Sequence, residues 1–594
     1  MTDAAAPLGD LPTWDLADLY AGPEDPKLKE DLATCAKAAA DFAKTYRGAL
    51  AEADGAKVRQ AIEDYERIDE ILSRVMSYAG LLHAGDLTDP ERGRFMQDMS
   101  EKATEISTDL VFFELELNEL PEAKMDALKA DPAVGAYKVW LDQVSRWRAH
   151  QLSEDMETLL QEKASTGRAA WNRLFDETMA ELRFDVGGKS LTNAEVLNQL
   201  SSTKRAERKA AGEALGKTFS QNVRLFAQIT NTLAKDKAVE DKWRNYARPI
   251  SARNLANQVE DEVVDALVDA VRDAYPRLSH RYYQLKAKWF GGDKLAYYDR
   301  NAPLPDSDDR TIPWAEAERT VMDAYAAFSP ALADVARPFF ENAWIDAPTR
   351  AGKSPGAFAH PTVPSAHPYL LLNYQGKTRD VMTLAHELGH GVHQRLAAGQ
   401  GHFLAQTPLT LAETASVFGE MLTFQKLLGE TTDPKAKRAL LASKTEDMLN
   451  TVVRQIAMLN FEIKVHDARK EGEIPAQRIG EIWMETQRES LGPALEFDDG
   501  YKWFWAYIPH FIHSPFYVYA YAFGDCLVNA LYAVYQDGET GFAERYLDML
   551  RSGGAKGHKE LLAPFGLDAT EPAFWSRGLD VIAGFVDQLE AMDG

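Results

Sequence analysis

Apolar residues return every three or four positions along most of this chain. In K-L-K-E-D-L-A-T-C-A-K-A-A-A-D-F-A-K-T-Y-R-G-A-L, residues 27–50, the positions Leu28, Leu32, Cys35, Ala39, Phe42 and Tyr46 keep that interval, which puts them on one face of an α-helix. Amphipathic patterns of the same period follow at 56–82, 90–118 and 122–150. The T-D-P-E-R run from Thr88 supplies a capping side chain and a proline for a first helical turn. No fixed repeat period or low-complexity tract is present.

Between residues 292 and 375 the habit changes. Glycine and proline become frequent and β-formers cluster. L-A-Y-Y-D-R at 295–300 and Y-L-L-L-N-Y at 369–374 predict short strands. They are separated by a helical interlude at 314–343 and a loop, A-G-K-S-P-G-A-F, at 351–358. Beyond 405 the helical pattern resumes, and D-D-G at 498–500 marks a turn before an aromatic-rich helical block. The expected fold is mainly α, with a small β-sheet just ahead of residues 383–394. We divide it into an N-terminal helical lobe at 1–115, an intermediate helical segment at 116–190 and a catalytic body at 191–594.

A chain of 594 residues exceeds one simple core. Lys and Arg number 66 against 91 Asp and Glu, a net charge of −25. Nucleic acid and anionic membrane would both require a basic face, so neither is expected as a partner. Two distant cysteines, Cys35 and Cys526, argue against a disulfide framework and for a reducing compartment. The start, M-T-D-A-A-A-P-L-G-D-L, has no basic segment followed by an apolar one and does not read as a signal peptide. No apolar run reaches the length of a membrane span. A cytoplasmic protein is expected.

Three of the 13 histidines fall in T-L-A-H-E-L-G-H-G-V-H-Q, residues 383–394. His386 and His390 are four apart, about 400° around a helix, so both rings leave from one face. Two imidazoles so placed can hold one Zn²⁺ at about 2.0–2.1 Å. Glu387 reaches a water at the metal rather than the ion itself, the logic of H-E-x-x-H. Chance can produce such a string, but Leu384, Leu388 and Val392 form an apolar helical stripe that gives it a context.

A third ligand has to come from elsewhere. A metzincin needs Gly at 393 and His at 396, where this chain has His393 and Leu396. A thermolysin-like spacing falls on Thr410. The next acids are Glu413 and Glu420, seven apart and therefore on one helical face. One can ligate while the other orients a ligand histidine from behind. Glu413 is taken as the ligand and Glu420 as the orienting group. His393 reads as a hydrogen-bonded structural residue, because a fourth protein ligand would close the position that water needs. A second concentration, Y-I-P-H-F-I-H-S-P-F-Y-V-Y-A-Y-A-F-G at 507–524, offers tyrosine O–H and histidine N–H donors. They could serve a tetrahedral oxyanion or simply pack in a core.

These residues resemble the thimet-oligopeptidase-like zinc metallopeptidases, and most closely the oligoendopeptidase F branch. W-D-L-A-D-L-Y at 14–20, N-Y-A-R-P-I-S-A-R-N-L-A-N at 245–257 and Y-Y-D-R-N-A-P-L at 297–304 are similar to that branch. So are G-K-S-P-G-A-F at 352–358, L-L-L-N-Y at 370–374 and P-H-F-I-H-S-P-F-Y-V-Y-A-Y-A at 509–522. The resemblance implies a two-lobed helical body with a deep central channel, and a 116–190 segment of the oligoendopeptidase F type. It implies one Zn²⁺ per chain on His386, His390 and Glu413, with Glu387 as general base. It supports His510, Tyr517 and Tyr521 as donors to the scissile carbonyl, leaving open which of Tyr517, Tyr519 and Tyr521 does the work and what His513 does. It suggests that the strand at 369–373 pairs with an extended peptide and that the glycine-rich loop lets backbone come close. Gly352, Gly356, Ala357, Tyr369, Leu371, Asn373 and Tyr519 are the expected substrate contacts.

The expected activity is endopeptidase cleavage of unfolded oligopeptides, through a zinc-bound water activated by Glu387. A zinc carboxypeptidase on a similar helical fold is the alternative enzyme. A peptide-binding protein with a dead site is the alternative from another class, and the presence of every expected ligand and of the base speaks against it.

Overall fold

Helices form where the three-to-four interval runs and stop where a local signal breaks it. Pro26–Tyr46 begins at Asp25, whose carboxylate accepts the Lys27 N–H at 2.9 Å. It ends before Gly48, which sits at φ +72° and can adopt that conformation without a Cβ clash. Leu28, Cys35, Ala39, Phe42 and Tyr46 are all buried along its inner face. Asp89 caps Pro90–Thr108 through the Glu91 and Arg92 N–H groups. The 90–118 pattern is two helices, Pro90–Thr108 and Phe112–Glu119. The 122–150 pattern is likewise split, into Glu122–Ala130 and Tyr137–Ser145 with a short turn at Arg148–His150. Pro132 disfavours helix at Asp131, where the first of these ends.

This computed structural model describes residues 8–164, 166–304 and 310–593, without the side chains of 154, 158, 161 and 162. Most of the N-terminal stretch read against a signal peptide lies outside the described residues. The chain gathers into two compact units. One comprises Met1–Arg148, Asp309–Gly429 and Glu539–Phe565; the other comprises Ala149–Asp308, Glu430–Gly538 and Gly566–Gly594. No described helix is long and apolar enough to cross a membrane.

Strands are few and short: β1 Phe184–Val186, β2 Lys189–Leu191, β3 Leu295–Ala296, β4 Ile345–Pro348, β5 Phe358–His360, β6 Tyr369–Tyr374 and β7 Leu495–Glu496. In the first unit β6 is central, parallel to β4 and antiparallel to β5, with Ile345 and Phe358 opposite Leu370 and Leu371. The N-terminal segment covers the far side of β4, where the Ala347 N–H donates to the Pro12 carbonyl at 2.9 Å. In the second unit β1 pairs with β2 and β3 with β7. The strand expected at 295–300 stops after Ala296, and Tyr297–Asp299 forms a 3₁₀ turn. Asp299 is drawn inward there by Arg208 and Arg205, at 2.7 and 2.8 Å, which bends the chain away from extension.

Inside the second unit Glu462 is only 2% exposed. Its Oε1 accepts the Phe516 N–H at 2.8 Å, and no described residue donates to Oε2. Burial pushes this carboxyl up to about 8, against the pull of the Phe516 N–H and of Arg253. The unfolded chain ionises near the ordinary glutamate value of about 4.3. Between those two values the folded state holds the extra proton, so stability falls as pH rises. Glu462→Gln removes this titration. Its stability should gain on the parent's by on the order of a few kcal/mol as pH is raised from about 5 to about 9, read as a widening gap between the two thermal midpoints. A constant difference across that range would show that Glu462 does not titrate there.

Candidate metal centre and active site

The helix Thr378–Ala397 starts at Lys377, where Asp380 accepts the Gln375 and Lys377 N–H groups at 2.8 and 3.0 Å. Leu384, Leu388 and Val392 are fully buried on its inner face. Two glycines set its neighbours. A Cβ on Gly389 would stand 2.5 Å from the Ala415 carbonyl oxygen, and one on Gly391 would stand 2.6 Å from the Phe339 ring. At Gly389 the backbone of this helix therefore meets that of the helix Leu409–Glu430. Tyr325 and Tyr546 brace the pair, donating to the carbonyls of Ala385 at 2.7 Å and Thr414 at 2.8 Å. That close approach turns the acidic face of the second helix towards the histidines.

Glu413 Oε2 lies 3.3 Å from His386 Nε2 and 3.5 Å from His390 Nε2. Two atoms bound tetrahedrally to one ion at about 2.0–2.1 Å stand roughly 3.3–3.4 Å apart, so the trio fits a zinc ion. Among the described residues, no other trio of His, Cys, Asp and Glu groups offers ligand atoms this close together. On its other side His386 places Nδ1 3.2 Å from Glu420 Oε2, and Ser416 donates to Glu413 at 2.7 Å. The electrostatics separate the two rings. Burial would depress His386, but Glu420 and Glu413 hold it up at about 9. Burial brings His390 down to about 4. Glu413 also resists burial, because His390 and His386 hold its carboxyl below the usual range.

Glu387 is 7% exposed. Burial pushes it up to about 7, against the pull of the His386 charge and of the Ala359 N–H on β5. The structure thus brings His386, Glu387, His390, Glu413 and Glu420 together. His393 is buried, with its Nε2 3.4 Å from the Thr407 hydroxyl.

The expected substrate contacts are distributed differently. Tyr369 and Leu371 are fully buried, and β6 already has a partner strand on each side. Peptide pairing to β6 is therefore corrected: the outer strand on this side of the sheet is β5, whose Ala359 N–H is turned to Glu387. Asn373 spends its amide on the Ser354 and Gly356 carbonyls, at 3.0 and 2.9 Å, and so holds the glycine-rich loop. Gly352, at φ +81°, packs where a Cβ would meet Asp86 at 2.1 Å; its role in the fold is close packing. Gly356 faces open space, and Ala357 is half-buried beside it.

In the second unit His510, Tyr517 and Tyr521 form one cluster. His510 Nε2 lies 3.4 Å from the Tyr521 hydroxyl, the His510 and Tyr517 rings stack at 5.7 Å, and the two tyrosine rings meet edge-on at 5.3 Å. Tyr519 points the other way. It is fully buried and its hydroxyl is held by Asn257 at 2.8 Å, so it is a core residue and not a substrate contact. His513 pairs with Asp176 at 2.8 Å.

Residues 198–581 match the family described as Peptidase family M3, and residues 116–184 match the one described as Oligopeptidase F. Oligopeptidase PepF of Bacillus subtilis (strain 168) is 25% identical over 595 residues, covering 98% of this chain and 87% of that one. Group B oligopeptidase PepB of Streptococcus agalactiae serotype III is 26% identical over 603 residues, covering 99% and 98%. The fold is shared with the crystal structure of oligoendopeptidase-F from Enterococcus faecium, at TM-score 0.71, 23% identity and coverage of 95% and 97%. A Chlamydophila abortus structure aligns at TM-score 0.86, with 23% identity and coverage of 99% and 100%. With most of its length matched, this chain belongs to peptidase family M3, in the oligopeptidase F branch, and is a peptidase.

Proposed function

We propose that this peptidase is a zinc-dependent endopeptidase acting on internal bonds of unfolded oligopeptides. The observation that carries the reading is the convergence of His386, His390 and Glu413, with Glu387 beside them. His386, His390 and Glu413 would hold one zinc ion. Bound zinc supplies Lewis-acid polarisation of the scissile carbonyl and acidifies a water. The Glu387 carboxylate accepts the proton of the attacking water and then passes it to the departing amine. A carboxyl whose proton affinity lies near neutrality suits both transfers. Glu420 holds His386 in the tautomer and orientation that leave Nε2 free to ligate. His510, Tyr517 and Tyr521 are assigned as donors to the developing oxyanion, on the strength of the sequence resemblance. An extended peptide would add along the outer side of β5 by main-chain hydrogen bonds.

Internally quenched peptides of increasing length, blocked at both ends, test the activity. Internal cuts are expected that stop with chelator and return with zinc. Cleavage confined to peptides with a free C-terminus would replace this reading with a carboxypeptidase, and silence from the zinc-loaded protein would favour a binding role. Glu420→Gln should weaken zinc about 10–100-fold, read by competition with a chromogenic chelator. Undiminished affinity would remove Glu420 from the orienting role.

A further inference from the structure

Beside His390 the first unit contains a cavity of about 590 Å³, a size that takes a side chain or a small ligand. Its wall follows the helix Thr378–Ala397 past His390 through Gln394 and Arg395, and returns through Thr362, Pro368, His402 and Thr407. Among the described residues that line this cavity none is Asp or Glu; Glu70 and Glu66 bond the backbone beside it, at the Ser365 and Phe403 N–H groups, at 3.1 and 3.2 Å. Asp69 stands behind His402 and is engaged by its ring nitrogen at 2.7 Å.

The cavity does have a cation. Arg395 donates one hydrogen bond, to the Val335 carbonyl at 3.0 Å, and its guanidinium lies over the Trp344 ring, 5.1 Å from the centroid. No described carboxylate pairs with it. A guanidinium carries five N–H donors. Here one is spent on a neutral acceptor and the planar group is held on an aromatic face, which keeps it oriented with donors to spare. Such a group prefers a bidentate oxyanion. Gln394 adds a buried amide oxygen that no described residue donates to, an acceptor for a main-chain N–H.

We propose that this cavity receives a carboxylate of the peptide substrate, with Arg395 as its specificity-determining cation. The inference rests on the endopeptidase reading for the presence of a peptide at this site and adds the chemistry that the peptide carries. His390 lies in both the cavity wall and the metal trio, so the carboxylate belongs to a residue near the cleaved bond. It comes either from an Asp or Glu side chain or from the C-terminus of a short peptide.

The zinc-loaded full chain is given matched peptides that carry Glu, Gln or Lys at each position around the cut, and a second set ending in a free acid or an amide. The parent should favour the carboxylate form by about tenfold or more in kcat/KM in one of the two sets, and which set does so identifies the source. In Arg395→Gln that ratio should fall to about one. Arg395→Lys should keep part of it, and Arg395→Glu should turn the preference towards Lys. Thermal midpoints report whether each variant is folded, and inhibition of the parent by N-acetylglutamate amide but not N-acetylglutamine amide provides a reading without any variant. Binding of the same peptides to Glu387→Gln, read by fluorescence anisotropy, separates the two claims. Carboxylate-selective binding without cleavage by the parent would defeat the endopeptidase reading and leave this inference standing. Equal cleavage and binding of acidic and neutral peptides would overturn the inference and leave the peptidase intact. A ratio undisturbed in folded Arg395→Gln would also overturn it.

Discussion

Glu387→Gln is expected to lower kcat by about 10²–10⁴-fold while zinc content stays at the parent's level. The substitution keeps the shape of the side chain and removes only its ability to take a proton. The fold should tolerate it, because burial already disfavours the charge at this position; a neutral amide is easier to bury than a carboxylate. In the parent, activity should rise with pH as Glu387 loses its proton. The limb should lie below the value of about 7 that burial gives the metal-free site, since a nearby cation favours the ionised form. Turnover on a quenched peptide, metal content and a thermal midpoint together check the prediction. Parent-like turnover in the zinc-loaded variant would remove Glu387 from the role of base.

Glu413→Gln should remove the metal and the activity together. Glu413 Oε2 is the shared vertex of the trio, 3.3 and 3.5 Å from the two imidazole nitrogens, and it carries the trio's negative charge. His390 and His386 hold that charge in place despite burial. A neutral amide leaves two imidazoles facing a weak ligand, so zinc affinity should fall by at least about 10²-fold, more than the loss of an orienting partner causes. Turnover should fall in proportion and recover in part at saturating zinc. Affinity equal to the parent's would point to Glu420 as the third ligand.

Much of this centre was legible before folding because it is local. The i, i+4 histidines, the apolar stripe and the seven-residue spacing of Glu413 and Glu420 are all properties of single helices. What brings the two helices together is not. Gly389 sits inside a helical run, and nothing nearby in the chain says that the Ala415 backbone will lie against it; an unexplained glycine in such a run was the one available signal. Y-L-L-L-N-Y reads as a strand, but its central place between β4 and β5 depends on partners outside it. Its continuous apolar run, unlike an alternating one, is the mark of a strand covered on both faces. Tyr519 could not be told from Tyr517 and Tyr521 by composition, because the difference is Asn257, 262 residues away. Arg395 looks like an ordinary helix-surface arginine until the fold shows that, among the described residues, no acid pairs with it.

The threading of the chain through its two units bears on how it is made. Each unit combines three separate stretches, so a nascent chain holds neither in finished form until its last tenth has been translated. The helices that carry His386 and Glu413 can coil early, but the Tyr546 hydroxyl that secures the Thr414 carbonyl leaves the ribosome more than a hundred residues after its acceptor. Partners so distant in sequence are slow to find one another, and meanwhile apolar surface stands open to aggregation. Cotranslational folding of this peptidase should therefore be late and cooperative, with protease-resistant first-unit structure expected in ribosome-bound chains only after the 539–565 stretch has emerged.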